Sequence, residues 1–195
     1  LSMGEHGLLG KQNLYEFGGM HVPLVFAGPG IPKGETNALT YLMDLFPTVC
    51  DIAGIDLKSN VEGKSLAPIM RKESASARDW LYTAYEKGQR AITDGRWKLI
   101  RYPHIDKTQL FDLQNDAHEE RDLAQLPEHA ERVRTMLAKL GEEQISYDDP
   151  VPLTADTIQP AEWSPDMLSA EQIQFQREET ARCATNEGWE SAKKK

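Results

Sequence analysis

The sequence contains no apolar run long enough to cross a bilayer as a helix. It also lacks an excess of basic charge. Lys and Arg number 22 against 31 Asp and Glu, a net charge of −9. That argues against a general nucleic-acid binder, which needs a basic face. It does not exclude an anionic ligand, because anion binding follows the local field rather than the total charge. The two cysteines, Cys50 and Cys183, lie far apart. They suggest no disulfide framework and leave the redox compartment open. No internal repeat is visible, and the chain opens at Leu1 with neither an initiator methionine nor a signal-peptide pattern.

The most distinctive stretch lies in the first sixteen residues. Gly4, Gly7 and Gly10 there alternate with Glu5, His6 and Lys11, ahead of Tyr15-Glu16. Glycines at such spacing predict a sharply turning backbone that can approach another group closely. The flanking side chains read either as an imidazole and an ammonium aimed at an anion, or as solvated charges on a surface loop.

Residues 22–27 form a short apolar run entered through Pro23 and left through Gly28-Pro29-Gly30. This predicts a buried strand of a mixed or parallel sheet. Residues 39–43 are expected to form a preceding strand or edge segment. Asp44 is placed to N-cap a helix that carries Pro47 in its first turn and ends at Gly54. Leu45, Val49, Ile52 and Ala53 would be its packed face, with Cys50 a small hydrophobe in the same packing. A brief helix is expected over 65–70, and the charged, serine-rich stretch 71–79 reads as a linker or subdomain boundary.

Past that stretch the pattern changes. Residues 80–86, 89–93, 96–102 and 108–113 predict strands of an antiparallel sheet, with Asp94-Gly95 as a hairpin turn. Residues 127–141 predict an amphipathic helix, since Val133, Met136, Leu137 and Leu140 recur on one face. Beyond Tyr147 the chain is polar and proline-spotted, with a weak helix over 169–183 and a solvated lysine end. This tail is expected either to wrap the surface or to be disordered.

Several short stretches, taken in order, carry a resemblance. They are Lys11-Gln12-Asn13-Leu14-Tyr15-Glu16, His21-Val22-Pro23-Leu24-Val25-Phe26, Gly28-Pro29-Gly30-Ile31-Pro32-Lys33-Gly34 and Asp44-Leu45-Phe46-Pro47-Thr48. Glu62-Gly63-Lys64-Ser65-Leu66, Arg96-Trp97-Lys98-Leu99-Ile100 and Gln109-Leu110-Phe111-Asp112-Leu113 continue the series. Over residues 1–145 the chain resembles the type I, formylglycine-dependent sulfatases of the alkaline-phosphatase-like superfamily. It departs from them at His21, where many relatives carry arginine. The nucleophile motif Cys-x-Pro-Ser-Arg is also absent: Cys50 precedes Asp51-Ile52-Ala53, and Cys183 precedes Ala184-Thr185-Asn186.

The resemblance implies an α/β fold. Residues 1–75 would end the α/β/α sandwich of a large domain. Residues 76–147 would be a small C-terminal α+β subdomain, an antiparallel sheet packed by one helix, and residues 148–195 a polar tail. It also implies the C-terminal segment of a longer, periplasmic or secreted sulfuric ester hydrolase acting on sulfated carbohydrates, the segment alone being inactive. The formylglycine and the calcium ligands are expected upstream, with no metal ligand in this chain. The expected partners are a sulfated small molecule or glycan and the rest of the same sulfatase domain, with no nucleic acid. Two alternatives stand: a phosphoester or phosphonate-ester hydrolase of the same superfamily, or a non-catalytic binding module.

For the site, the resemblance matches Lys11 to the family's lysine that contacts the sulfate or its bridging oxygen, a catalytic and substrate-binding role. A compact ammonium on a long stem suits that contact. The other reading is a surface lysine steadying a loop. His6 either donates to the sulfated sugar or bonds to nearby backbone. His104, in the 102–107 loop, either borders the substrate cleft or is an exposed hairpin histidine. Glu5 is expected to organise loop amides, His21 to end a strand bonded to backbone, and His118 and His129 to lie on the surface.

Overall fold

Glycine permissiveness shapes the start of the chain. Strands β1 (Ser2–Met3) and β2 (Leu9–Gly10) pair antiparallel, Ser2 opposite Gly10 and Met3 opposite Leu9. The turn between them passes through Gly4, His6 and Gly7, all at positive φ. The computed structural model describes residues 2–10, 13–58, 60–162 and 169–184. Leu1–Gln159 form one compact unit and Pro160–Lys195 another.

After a π-type turn over Glu16–Met20, residues 21–40 run without a helix or a ladder. The buried strand expected over 22–27 is therefore not formed, and Val25 is 83 % exposed. A strand needs a neighbour to take its amides and carbonyls, and no described residue pairs with this run. Residues 39–43 are likewise no strand. The chain is extended up to Tyr41 and then tightens into a 3-10 turn, Leu42–Asp44, because the Asp44 carboxylate accepts the Tyr41 amide at 2.7 Å.

Helix α1 (Leu45–Ala53) follows and ends at Gly54 in the left-handed region, as glycine permits. Asp44 does not cap it through its side chain. The carboxylate is fully buried and turned elsewhere, accepting the Lys64 amide at 2.8 Å and both arms of the Arg78 guanidinium at 2.6 and 2.7 Å. The packed face of α1 is Pro47, Thr48 and Cys50, with Leu45 half-buried; Cys50 packs as expected, whereas Val49, Ile52 and Ala53 of the expected face are exposed. Thr48 decides this. Its hydroxyl donates to the Asp44 carbonyl and accepts the Leu66 amide, so the polar node beneath the helix sets its rotation. Helix α2 (Ala67–Met70) is one turn. The 71–79 stretch is tied down at both ends, by Arg71 to Asp51 and by Arg78 to Asp44 and the Leu39 carbonyl.

Four strands then form an antiparallel meander in sequence order: β3 (Leu81–Tyr85), β4 (Gln89–Thr93), β5 (Trp97–Tyr102) and β6 (Lys107–Asp112). The β4–β5 turn uses Gly95 at positive φ, and Asp94 accepts the Arg96 and Trp97 amides to close it. Ile92, Leu99 and Leu110 lie opposite one another on one face, and Ala91, Ile100 and Gln109 on the other. Both faces are covered. Helix α3 (Ala130–Ser146) lays Met136 and Leu140 on the first, with Val133 and Leu137 beside them. Leu14 and Tyr15 cover the second with Phe111, Leu8 and Met20.

Helix α3 runs through Gly141, past the expected end. A mid-helix glycine costs about 1 kcal/mol, but the next turn buries Gln144, whose amide donates to the Val151 carbonyl. Residues 149–159 wrap back on the sheet. Asp149 pairs with buried Arg90 at 2.7 Å, Arg101 donates to the Leu153 carbonyl, and the Gln159 amide donates to the His104 carbonyl. In the second unit, α4 (Ala170–Ala184) starts with a reciprocal box: Gln172 accepts the Ser169 amide and Ser169 Oγ accepts the Gln172 amide.

Candidate functional site

The glycine loop is a closed hairpin. The Gly4 amide donates to the Leu8 carbonyl at 3.0 Å, and the Leu8 amide to the Glu5 carbonyl at 2.9 Å. The Glu5 carboxylate accepts the Met3 amide, as expected of a residue that organises the loop. That bond and one from its own amide hold its carboxyl below the usual 4.5.

His6 sits at the loop tip, half-buried, its ring stacked flat on Tyr15 with centroids 3.8 Å apart. Tyr15 turns its edge to Phe111, and its hydroxyl donates to Gln109 Oε1 at 2.9 Å. Gln109 also accepts from the Tyr102 hydroxyl at 2.8 Å. Burial, and then the neighbouring Tyr15 hydroxyl, push the Tyr102 phenol up, so it stays a neutral donor. The imidazole thus rests on an aromatic stack rooted in the sheet.

Lys11, the principal site residue expected from sequence, lies outside the described residues. His104 occupies a 3-10 turn, Pro103–Ile105, and is half-buried. No hydrogen bond or ring contact joins it to His6. His21 is exposed, its amide bonded to the Glu16 carbonyl. His118 is exposed with its ring against Phe17, whereas His129, expected on the surface, is half-buried beside Trp97.

A second cluster lies under the Tyr15-Glu16 pair and was not legible as a site in the sequence. Lys98 projects from β5, 1 % exposed, with its ammonium 2.9 Å from both Glu16 Oε1 and Glu119 Oε1. Glu119 is fully buried, and its other oxygen accepts the Glu16 amide at 2.5 Å. Burial raises the Glu119 carboxyl above the usual 4.5, and Lys98 opposes the rise. The only sequence signal was a lysine in a strand whose neighbours on both sides are apolar. Glu119 stands in an acidic, turn-rich stretch that carries no such sign.

The described residues bring no three His, Cys, Asp or Glu together to hold a metal. Cys50 is a free buried thiol in α1.

Comparison with known proteins agrees with this architecture. The family model described as N-sulphoglucosamine sulphohydrolase, C-terminal, matches residues 4–146. An N-acetylglucosamine-6-O-sulfatase of Bacteroides thetaiotaomicron is 29 % identical over 170 residues, covering 80 % of this chain and 30 % of that protein. A choline-sulfatase of Rhizobium meliloti is 37 % identical over 131 residues, covering 64 % and 25 %. Among solved structures, a 2-O GAG sulfatase aligns with a TM-score of 0.56 at 26 % identity, over 74 % of this chain and 36 % of that one. A structure in complex with D-glucosamine-2-N,6-O-disulfate aligns with a TM-score of 0.50 at 26 % identity, over 56 % and 25 %. The chain therefore spans only a quarter to just over a third of the length of these relatives. With most of its residues matched, the chain belongs to the N-sulphoglucosamine sulphohydrolase C-terminal family, the C-terminal part of the alkaline-phosphatase-like sulfatases.

Proposed function

We propose that this chain is the C-terminal part of a sulfuric ester hydrolase that removes sulfate from carbohydrates. Residues 1–75 would complete its large α/β domain, 76–147 form the small subdomain, and 148–195 the polar tail. The family match across residues 4–146 carries the reading, because it takes in both the glycine loop and the sheet that supports it. Two relatives named for glucosamine sulfates favour a sulfated sugar as substrate.

Cleaving a sulfate ester needs a nucleophile, cations around the anion and a proton for the departing oxygen. In this reading Lys11 supplies one cation to the sulfate or the bridging oxygen. His6, held by its stack on Tyr15, faces the sugar, and His104 borders the same cleft. The formylglycine and the calcium proposed for the whole protein would come from residues outside this chain. Bound calcium would add charge stabilisation at the sulfate. An exported location, periplasmic or secreted, belongs to the same proposal.

The test is sulfate release by the purified full-length protein from glucosamine 6-sulfate, choline sulfate, an aryl sulfate and a phosphonate monoester. Turnover is expected to be fastest on the sulfated sugar. Faster turnover of the phosphonate ester, or no sulfate release at all, would overturn the reading.

A further inference from the structure

The buried Lys98 ammonium and Glu119 carboxylate meet the partly exposed Glu16 carboxylate with no role yet in the chemistry. Removing water from Lys98 and Glu119 is costly and repays little in stability alone, so their placement calls for another reason. Glu119 reaches its site through a backbone at φ 55, a conformation that is uncommon for residues with a side chain. Its carboxylate spans Lys98 on β5 and the amide of Glu16. Glu16 closes the triangle on Lys98.

Glu16 opens the turn of residues 16–20. The Met20 and His21 amides donate to the Tyr15 and Glu16 carbonyls at 2.9 and 3.0 Å. That turn presses two glycines against the base of the glycine hairpin. A Cβ on Gly18 would lie 2.6 Å from Ser2 Oγ, and one on Gly19 would collide with the Asn13 side chain. Asn13 in turn donates to Ser2 Oγ at 3.2 Å and accepts the Tyr15 amide at 3.0 Å. Ser2 and Asn13 are the two ends of the segment that carries His6 and, in chain order, Lys11.

We infer that Lys98 and Glu119 are positioning residues for the glycine loop, acting through Glu16 to fix both ends of residues 2–13 on the rigid sheet. The loop's catalytic importance rests on the sulfatase reading above. The anchoring itself does not. Charge suits the task because the bond from the Lys98 ammonium to Glu16 Oε1 and that from the Glu16 amide to the Glu119 carboxylate are charge-assisted and stronger than neutral ones. An apolar contact would hold the turn against the sheet without fixing its register.

The experiment compares amide hydrogen exchange and steady-state kinetics in the full-length protein and three variants. Lys98→Met keeps the apolar stem and removes the ammonium. Glu119→Gln keeps an acceptor for the Glu16 amide and removes the charge. Glu16→Gln changes the partly exposed end and guards against loss of folding in the buried variants. Exchange over residues 4–20 is expected to rise roughly tenfold to a hundredfold in Lys98→Met, and less in the other two, while β4 to β6 keep their protection. kcat is expected to fall by up to roughly a hundredfold, with KM changing much less, because misplacing a reacting group mainly slows the chemical step. Unchanged loop exchange in folded variants, or loop and sheet loosening by the same factor, would overturn the inference. Absence of sulfate-ester turnover by the unmodified protein would count against the sulfatase reading alone, because exchange is measured without turnover.

Discussion

Asp44 shows how a buried charge ties distant stretches together. Burial alone would raise its carboxyl. The Arg78 guanidinium and the Lys64 and Tyr41 amides together outweigh that and hold it below the usual 3.8. A depressed carboxyl contributes stability above its unfolded pKa and loses it as the pH falls through its folded value. Asp44→Asn should therefore cost about 3–5 kcal/mol near neutral pH, because it leaves Arg78 buried without a counter-charge. Denaturant melts of both proteins should converge as the pH drops below 3.8. Glu119 has the opposite sign: its raised carboxyl stabilises less as the pH climbs from the unfolded value to the folded one. Under the proposed function, Lys11 is a test of chemistry rather than stability. Lys11→Ala in the full-length protein should slow turnover by on the order of a hundredfold to a thousandfold with little change in melting temperature. Lys11→Arg should rescue it poorly, since a planar guanidinium cannot occupy the same point. Kinetics beside thermal melts read both effects.

Among the elements, α3 is the one that encloses the first face of the sheet. Leu140 is fully buried among Ile92, Leu99 and Leu110. Leu140→Ala should cost about 2–5 kcal/mol through lost burial and the cavity left behind. The loss should appear as a lower denaturant midpoint with an unchanged slope. The same helix shows why a local signal can mislead. Gly141 reads as a stop, yet Gln144 finds the Val151 carbonyl and the 149–159 segment folds back over the sheet, so the last turn is worth forming. Helix α1 shows the reverse case, where a correct helix turns the wrong face inward because buried Thr48 and Asp44 set its rotation.

In the whole molecule, the four-stranded sheet is covered on both faces, while the apolar side chains of residues 22–25, 42, 46, 49, 52 and 55 are largely uncovered. Large apolar side chains left exposed in such number are what a partner surface would cover. Under the proposed function its cover is the remainder of the sulfatase domain. The chain produced alone should accordingly bind an apolar dye strongly and aggregate, whereas the full-length protein should not. Sharp cooperative melting of the 195-residue chain with little dye binding would contradict this. The same material should release no sulfate from an aryl sulfate.

Sequence alone determined the parts whose signals are local. The four strands, the Asp94-Gly95 turn and the α3 stripe were legible because each strand's period and each turn's backbone demand are written in adjacent residues. The ordered motifs gave the sulfatase resemblance, which the match over residues 4–146 bears out. Only the tertiary structure decided the rest. Residues 22–27 are apolar enough for a strand, but a strand exists only where a neighbour offers a ladder. His6 was legible as a candidate, but its stack on Tyr15 depends on a hairpin folding back over a sheet 75 or more residues away in the chain. The joining of Glu16, Lys98 and Glu119, 103 residues from end to end, left no periodic trace, because charges paired across such distances are brought together by packing and not by spacing.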